Sequence, residues 1–478
     1  MIIFLACLFT LILGYAAYGR YVDKVFSPDG NRETPAVALN DGVDYMEMPT
    51  WKVFLIQLLD IAGIGPIFGP ILGALYGPQA LLWIVFGTIF GGAVHDYFSG
   101  MISVRQNGDS IPDVVGKNMG NAARNIMRVF SLILLTLVGV VFVLAPSKLL
   151  SGMTGVNTMV FVLAIFAYYF IATILPIDKI IGKLYPIFGL MLLFMTFGVA
   201  IGLIANGYEI LPNTDFSTSV HPKELPLWPL LFVTLSCGAI SGFHCTQSPL
   251  MARCMKNECE GKKIFYGSMV MEGVIALIWC TAGISFYKDP AALQAIIAEG
   301  SPAAVVNELC TSLLGAVGGF AALLGVIALP ITSGDTAFRS SRLILAETIK
   351  MDQAQAKKRL MISVPLFIVG GLIACLDFGV IWRYFGWANQ TLAMIMLWTA
   401  SVYLIVRKKN HWITSLPATF MTAVIVTYIF QAGIGFGMEP MTAGVIGLVV
   451  SFICLGLFIG KYRKHENPEE VELETITE

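Results

Sequence analysis

Charge is what this sequence has least of. Asp, Glu, Lys and Arg make up 13% of its 478 residues, where a soluble domain carries about 25%. Hydrophobic residues make up 56% and the mean hydropathy is +0.77. That balance excludes an ordinary water-soluble fold and points to lipid as the surrounding medium. The nine cysteines contain no Cys-x-x-Cys pair. Cys254 and Cys259 flank a basic loop that has no histidine, so reduced structural thiols fit better than a metal or redox centre. No His-Glu-x-x-His, Gly-x-Ser-x-Gly or P-loop pattern occurs, and His95, Asp96 and His244 are too few to specify a catalytic centre, so an enzyme is not expected. Gly63-x-Gly65-x-x-x-Gly69 follows no strand and lies inside an apolar run, which excludes a dinucleotide loop. The net charge of −1 gives no reason to expect a nucleic-acid partner. Oligomeric state is not legible.

What the chain has instead is a succession of apolar runs of roughly 20 residues, each long enough to span a bilayer. They fall near 2–18, 52–76, 79–102, 126–147, 157–176, 184–205, 226–250, 264–287, 303–332, 361–377, 384–406, 413–433 and 441–460. This predicts an all-α polytopic membrane protein with about 13 transmembrane helices. Basic residues test the count, because cytoplasmic loops collect Lys and Arg. With the N-terminus outside, 26 of the 30 Lys and Arg fall on inner segments, leaving only Lys148, Lys223, Lys288 and Arg383 outside. The C-terminus is then cytoplasmic, and the glutamates from Glu466 to Glu478 read as a solvated tail. Residues 2–18 have no basic residue ahead of them and read as a retained span rather than a signal peptide. The stretch from Lys288 to Pro302 reads as an outer loop or a short helix over the mouth.

Two runs carry their own interruptions. Trp51–Gly77 has Gly63-Ile-Gly65-Pro66-Ile-Phe-Gly69-Pro70 in its middle, and Leu227–Leu250 has Ser241-Gly242-Phe-His244-Cys-Thr246-Gln247-Ser248-Pro249. Proline removes a backbone donor and clashes with the preceding turn, while glycine relaxes the backbone. A helix broken at bilayer depth persists only where protein, water or a ligand satisfies the freed groups. Ser248-Pro249 is the expected restart of the second. Counting Trp51–Gly77 as core span one makes the second core span six. Five spans per repeat is an odd number, so the second set is inverted. This is the arithmetic of an inverted five-plus-five repeat core (LeuT/APC-like), with broken core helices one and six facing a central site. The chain divides into 1–50 (N-terminal span and loop), 51–225 and 226–406 (the two repeats), and 407–478 (two further spans and the acidic tail).

Ionisable residues inside spans are costly and therefore functional candidates. Asp60 lies three residues before Gly63. His95 and Asp96 sit in the inner third of their span, where Asp96 is either wet or coupled. His244 lies in the second interruption, as a satisfied core histidine or a functional one. Glu272 is buried in its span, and Asp377 lies near an outer end. Thr332, Ser333 and Asp335 offer oxygens for Na⁺ or a carboxyl for H⁺; alternatively Gly334 ends that helix and Asp335 caps the next. No Lys or Arg falls in the middle of a span, so a substrate carboxylate is expected on half-helix N-termini at Gly63, Gly65, Pro66, Gly69, Ser241, Gly242, His244, Thr246, Gln247 and Ser248.

Four segments resemble the carbon starvation protein A family: residues 61–105, 241–258 (SGFHCTQSPLMARCMKNE), 329–347 (LPITSGDTAFRSSRLILAE) and 382–398 (WRYFGWANQTLAMIMLW). The resemblance is to its shorter members; larger ones read Gly-Ala-Gly-Pro where this chain has Gly63-Ile64-Gly65-Pro66. It implies an inner-membrane secondary transporter of peptides or pyruvate, used in carbon starvation, proton-coupled and without a cofactor. It also implies kinship with the amino acid–polyamine–organocation superfamily. A Na⁺-coupled amino-acid-type transporter, a channel and a membrane nutrient sensor are the alternatives.

Overall fold

The computed structural model describes residues 1–174, 177–212, 215–217, 219–353, 355–376 and 378–462. Asp377, the glutamates beyond Lys464 and the side chain of Thr332 lie outside the described residues.

Long apolar helices account for nearly everything described. Among the described residues, nine are long and apolar enough to cross a membrane, or ten if one bent pair counts as a single span. In chain order the elements are α1 (Ile2–Phe26), α2 (Thr50–Ile61), α3 (Gly65–Tyr76) and α4 (Gln79–Arg105). The interfacial α5 (Ile111–Met119) precedes α6 (Asn121–Thr154), α7 (Thr158–Ile174) and α8 (Ile177–Ala205). The short α9 (Leu230–Thr234) and α10 (Gly242–Ala252) are followed by α11 (Glu258–Tyr287). Then come α12 (Pro290–Thr348), α13 (Ala356–Ile373), α14 (Phe378–Val406), α15 (Trp412–Gln431) and α16 (Pro440–Tyr462). α15 and α16 dock on α14 through a separate apolar cluster that includes Leu397, Trp398, Met421 and Phe458.

Both interrupted spans are broken, although not as their prolines suggest. α2 and α3 meet at 47° across Ala62–Ile64. Pro66 occupies the first turn of α3, where its missing N–H costs nothing, and Pro70 is carried inside that helix. The second break lies upstream of its expected place. Residues 235–241 are non-helical with Gly238 at φ 89°, whereas Ser241 is the N-cap of α10 and Ser248-Pro249 lies within it. The restart is therefore at Gly242, because another helix caps it there.

Two open readings are decided. Of the two readings for the stretch before Pro302, helix holds: it is helical from an N-cap at Asp289, whose carboxylate accepts from Ala291 N. Gly334 does not stop a helix: α12 runs through it to Thr348, and Gly334 is glycine because Tyr169 Oη would lie 2.1 Å from any Cβ. Within α12, Gly315 takes φ 67°, which a glycine adopts without strain.

Prolines inside helices leave carbonyls four residues earlier without their donor. Pro146 frees the carbonyl of Phe142, and the buried Tyr169 hydroxyl donates to it at 3.1 Å. The same hydroxyl lies 3.1 Å from Pro330 O, so it clamps α6 and α12 together.

Glycine lets α14 approach the restart. A Cβ on Gly242 would lie 2.0 Å from Asn389 O and 2.6 Å from Ala393 N, both backbone atoms. Gly242→Ala is expected to cost about 1–3 kcal/mol by overpacking, seen as a lowered Tm of the detergent-purified protein. Gly371→Ala, in α13 where an added Cβ meets nothing within 4 Å, is the matched control and should not lower Tm.

Candidate functional site

The two breaks pack directly on each other. A Cβ on Gly65 would lie 2.4 Å from the Cβ of Cys237, and one on Gly69 would lie 3.3 Å from both Thr234 O and Cys237 O. Pro66 and Pro70 lie against Gly238. On the other side Gly63 faces Ser333, whose Oγ would lie 2.8 Å from an added Cβ.

Freed backbone groups around the breaks find side chains from other helices. Leu59 O, at the end of α2, accepts from Ser333 Oγ at 3.2 Å. Thr88 donates to Gly238 O at 3.0 Å, and Gln390 Nε2 to Ile240 O at 3.1 Å. Asn389 Oδ1 accepts from Phe243 N at 2.6 Å, while its amide and the Ser241 hydroxyl lie 3.0 Å apart. Asn389 thus caps α10 from α14. A capping residue normally precedes its own helix; here it comes from 146 residues later in the chain. The positive end of α10, expected to hold a substrate carboxylate, is already engaged by this amide oxygen. Asn389 and Gln390 were missed as site residues, although they lie in the 382–398 segment that carries the family resemblance.

Four ionisable residues anticipated separately form one buried chain. His95 Nδ1 lies 2.8 Å from Asp96 Oδ1, and His244 Nδ1 lies 3.0 Å from Asp96 Oδ2. His244 Nε2 then lies 3.5 Å from Glu272 Oε2. All four side chains are inaccessible to solvent, so a wet Asp96 is excluded. They come from α4, α10 and α11, with His244 on the first turn of the restarted helix. An ionised Asp96 accepts from both Nδ1 atoms, while His244 Nε2 faces Glu272 without a hydrogen bond.

A second group of carboxylates lies on the other face of α2. Asp60 is fully buried, with Asp335, Arg339 and Thr336 as its polar neighbours. Asp335 accepts from the Tyr168 hydroxyl at 2.9 Å. The two groups are joined through α10, where Ser248 Oγ donates to His244 O at 3.1 Å and is approached by Gln57 Nε2 at 3.4 Å. Thr246 and Gln247 are buried and bonded to each other at 2.8 Å.

Three arginines placed on inner segments by the sequence are buried, and none was anticipated as a site residue. Arg339 and Arg342 lie within α12 with 1% and 0% of their side chains exposed, and Arg253 at the end of α10 has 3%. Their basic spacing reads as an inner loop because nothing in the local sequence shows the carboxylates that fold back onto them. Asp44 meets Arg339 and Arg342 at 3.1 Å each, and Glu347 meets Arg253 at 2.7 Å. Burial works to raise the Asp44 carboxyl, but Arg342, Arg339 and Arg253 overrule it and hold it at about 2.

Comparison with known proteins gives this arrangement a context. The family model described as Carbon starvation protein CstA matches residues 1–163, 144–304 and 295–428. An uncharacterized membrane protein of Haemophilus influenzae is 46% identical over 352 residues, covering 63% of this chain and 95% of the relative. The peptide transporter CstA of Bacillus subtilis is 24% identical over 96% of each chain. The pyruvate/proton symporter BtsT of Escherichia coli is 25% identical over 56% of this chain and 46% of its own length. Among solved structures, a mutant of the Eremococcus coleocola manganese transporter aligns with 88% of this chain and 97% of its own, at TM-score 0.54 and 13% identity. That likeness is one of fold alone.

Asn389→Ala strands the Phe243 N–H and the Ser241 hydroxyl together. A loss of roughly 1–3 kcal/mol for each orphaned group is expected, read as a lower Tm. Thr391→Ala, whose hydroxyl donates to Trp387 O on its own helix, should change Tm little.

Proposed function

The chain belongs to the carbon starvation protein CstA family, and from that premise we propose that it is a secondary active transporter. It takes up small carboxylate-bearing nutrients, peptides or pyruvate, across the inner membrane during carbon starvation, by alternating access and driven by protons. Thirteen spans in an inverted five-plus-five repeat core, with the N-terminus outside and the C-terminus in the cytoplasm, are part of this reading. No cofactor is needed beyond the coupling ion. The multi-pass membrane character and the transporter relatives support it, and so does the alternation of basic loops.

The observation that carries the reading is the buried chain His95–Asp96–His244–Glu272, anchored on the second break. Two carboxylates and two imidazoles in a water-free setting must hold protons to stay near neutrality. α10 carries His244, so a rearrangement of this half-helix separates His244 from Asp96 and Glu272 and changes what each can hold. Protonation and the state of the substrate site are thereby linked. Substrate contacts fall to Gly63, Gly65, Pro66 and Gly69 on one break and to Ser241–Ser248 on the other. A Na⁺-coupled variant of this reading is favoured by one observation: Ser333 Oγ and Leu59 O meet at the first break, with the buried Asp60 next in the chain.

Purified protein in proteoliposomes should accumulate labelled pyruvate or a labelled dipeptide when the lumen is made alkaline, and not when only a Na⁺ gradient is imposed. Accumulation with Na⁺ alone would transfer coupling to the Asp60 side. Glu272→Gln is expected to abolish accumulation driven by the pH gradient while leaving substrate exchange at equal concentrations largely intact. Retained gradient-driven accumulation would remove Glu272 from the coupling path.

A further inference from the structure

The two buried arginines of α12 have no part in the reading above. Arg339 lies one helical turn beyond Asp335 and acts electrostatically on Asp60, two residues before the first break. Arg342 follows on the same helix, and its Nε has no hydrogen-bond partner. Both converge on a single carboxylate, with Arg339 Nη1 3.1 Å from Asp44 Oδ1 and Arg342 Nη2 3.2 and 3.1 Å from Asp44 Oδ1 and Oδ2. Two convergent guanidinium groups are a preferred way to bind a carboxylate in a buried setting.

The carboxylate that fills this clamp is delivered by a loop rather than a helix. Asp41 Oδ1 accepts from the N–H groups of Val43, Asp44 and Tyr45, folding a small turn that presents Asp44. The loop is then stitched to the end of α10 by Met46 N to Arg253 O and Met48 N to Cys254 O, both at 3.1 Å. It leads straight into α2, whose far end is the first break. The occupant is thus attached to one of the two broken spans, whereas the clamp belongs to the long helix α12.

We infer that Arg339 and Arg342 form a carboxylate-binding exit site for the transported anion, and that Asp44 is its built-in competitor. The inference rests on the uptake of carboxylate-bearing substrate proposed above. When the cytoplasmic side opens, the loop withdraws and two desolvated cations face the emptying substrate site. A substrate carboxylate moves onto them, one turn beyond Asp335. Return of Asp44 displaces it into the cytoplasm and closes that side again. Release and closure are then one exchange of carboxylates on the same pair of arginines, and the clamp is not left vacant with its charges unpaired.

The test uses free acetate and pyruvate against purified full-length protein. Asp44→Ala should unfold at lower temperature than wild type in sodium chloride. Sodium acetate or pyruvate at equal ionic strength should restore much of the loss, with no such effect on wild type. Asp44→Ala combined with Arg342→Gln should lose this rescue. Where Asp44→Ala does not yield folded protein, Asp44→Asn, which keeps the shape and weakens the ion pairs, is measured in the same salts. In proteoliposomes Asp44→Asn should slow net delivery of labelled pyruvate into an empty lumen several-fold more than it slows pyruvate exchange. Rescue no better with acetate than with chloride, or equal slowing of both transport modes, would overturn the proposal. If wild type carries neither pyruvate nor a dipeptide, the substrate reading fails, while acetate rescue still reports on the clamp separately.

Discussion

A polypeptide that interrupts its helices inside a membrane must find partners for the backbone groups it frees, and this requirement organises the rest of the molecule. Each partner is a side chain on a neighbouring helix: Ser333 for Leu59 O, Thr88 for Gly238 O, Gln390 for Ile240 O and Asn389 for Phe243 N. α4, α12 and α14 are therefore held to the breaks by polarity as well as by shape. Glycine appears wherever those helices must come within reach, as at Gly242 and Gly63. Tyr169 extends the same logic outward, closing the gap that Pro146 leaves in α6.

Around that scaffold the ionisable groups separate into three sets with different neighbours. His95, Asp96, His244 and Glu272 hold one another. Asp60 and Asp335 lie beside Arg339, where carboxylates and a cation share a dry region. Asp44, Arg253, Arg339, Arg342 and Glu347 form the third set. Arg339 belongs to both the second and the third. His244 in the first turn of α10 and Arg253 at its C-cap put the first and third sets at the two ends of that half-helix.

Much of this was legible in the sequence, and the reasons for what was not are physical. The apolar runs made the all-helical, multi-pass character legible, because length and hydropathy are local properties. The first break was legible for the same reason: Gly63 to Pro70 carries its own instruction. The second was misplaced because Ser248-Pro249 is a good local restart signal, while the cap that sets the restart is Asn389, far along the chain. Gly334 looked like a stop and is instead the floor under Tyr169. Arg339 and Arg342 counted as loop cations because their partner, Asp44, is about 300 residues away. His95, Asp96, His244 and Glu272 were each legible as costly residues in spans. That they touch was not, since contact between α4, α10 and α11 is a property of the packing.

The position of Asp44 has a mechanical consequence. Only five residues lie between it and Thr50, the first residue of α2. A fully extended chain gains at most about 3.6 Å per residue, so the tether can reach roughly 20 Å at its limit. Much of that length is already used in the two backbone hydrogen bonds to Arg253 and Cys254. The carboxylate therefore has a short stroke and cannot swing clear while α2 stays fixed. A tilt of α2 pulls on the tether and on the Asp44 carboxylate with it, so the bend of the first break and the ion pairs of Arg339 and Arg342 are mechanically joined.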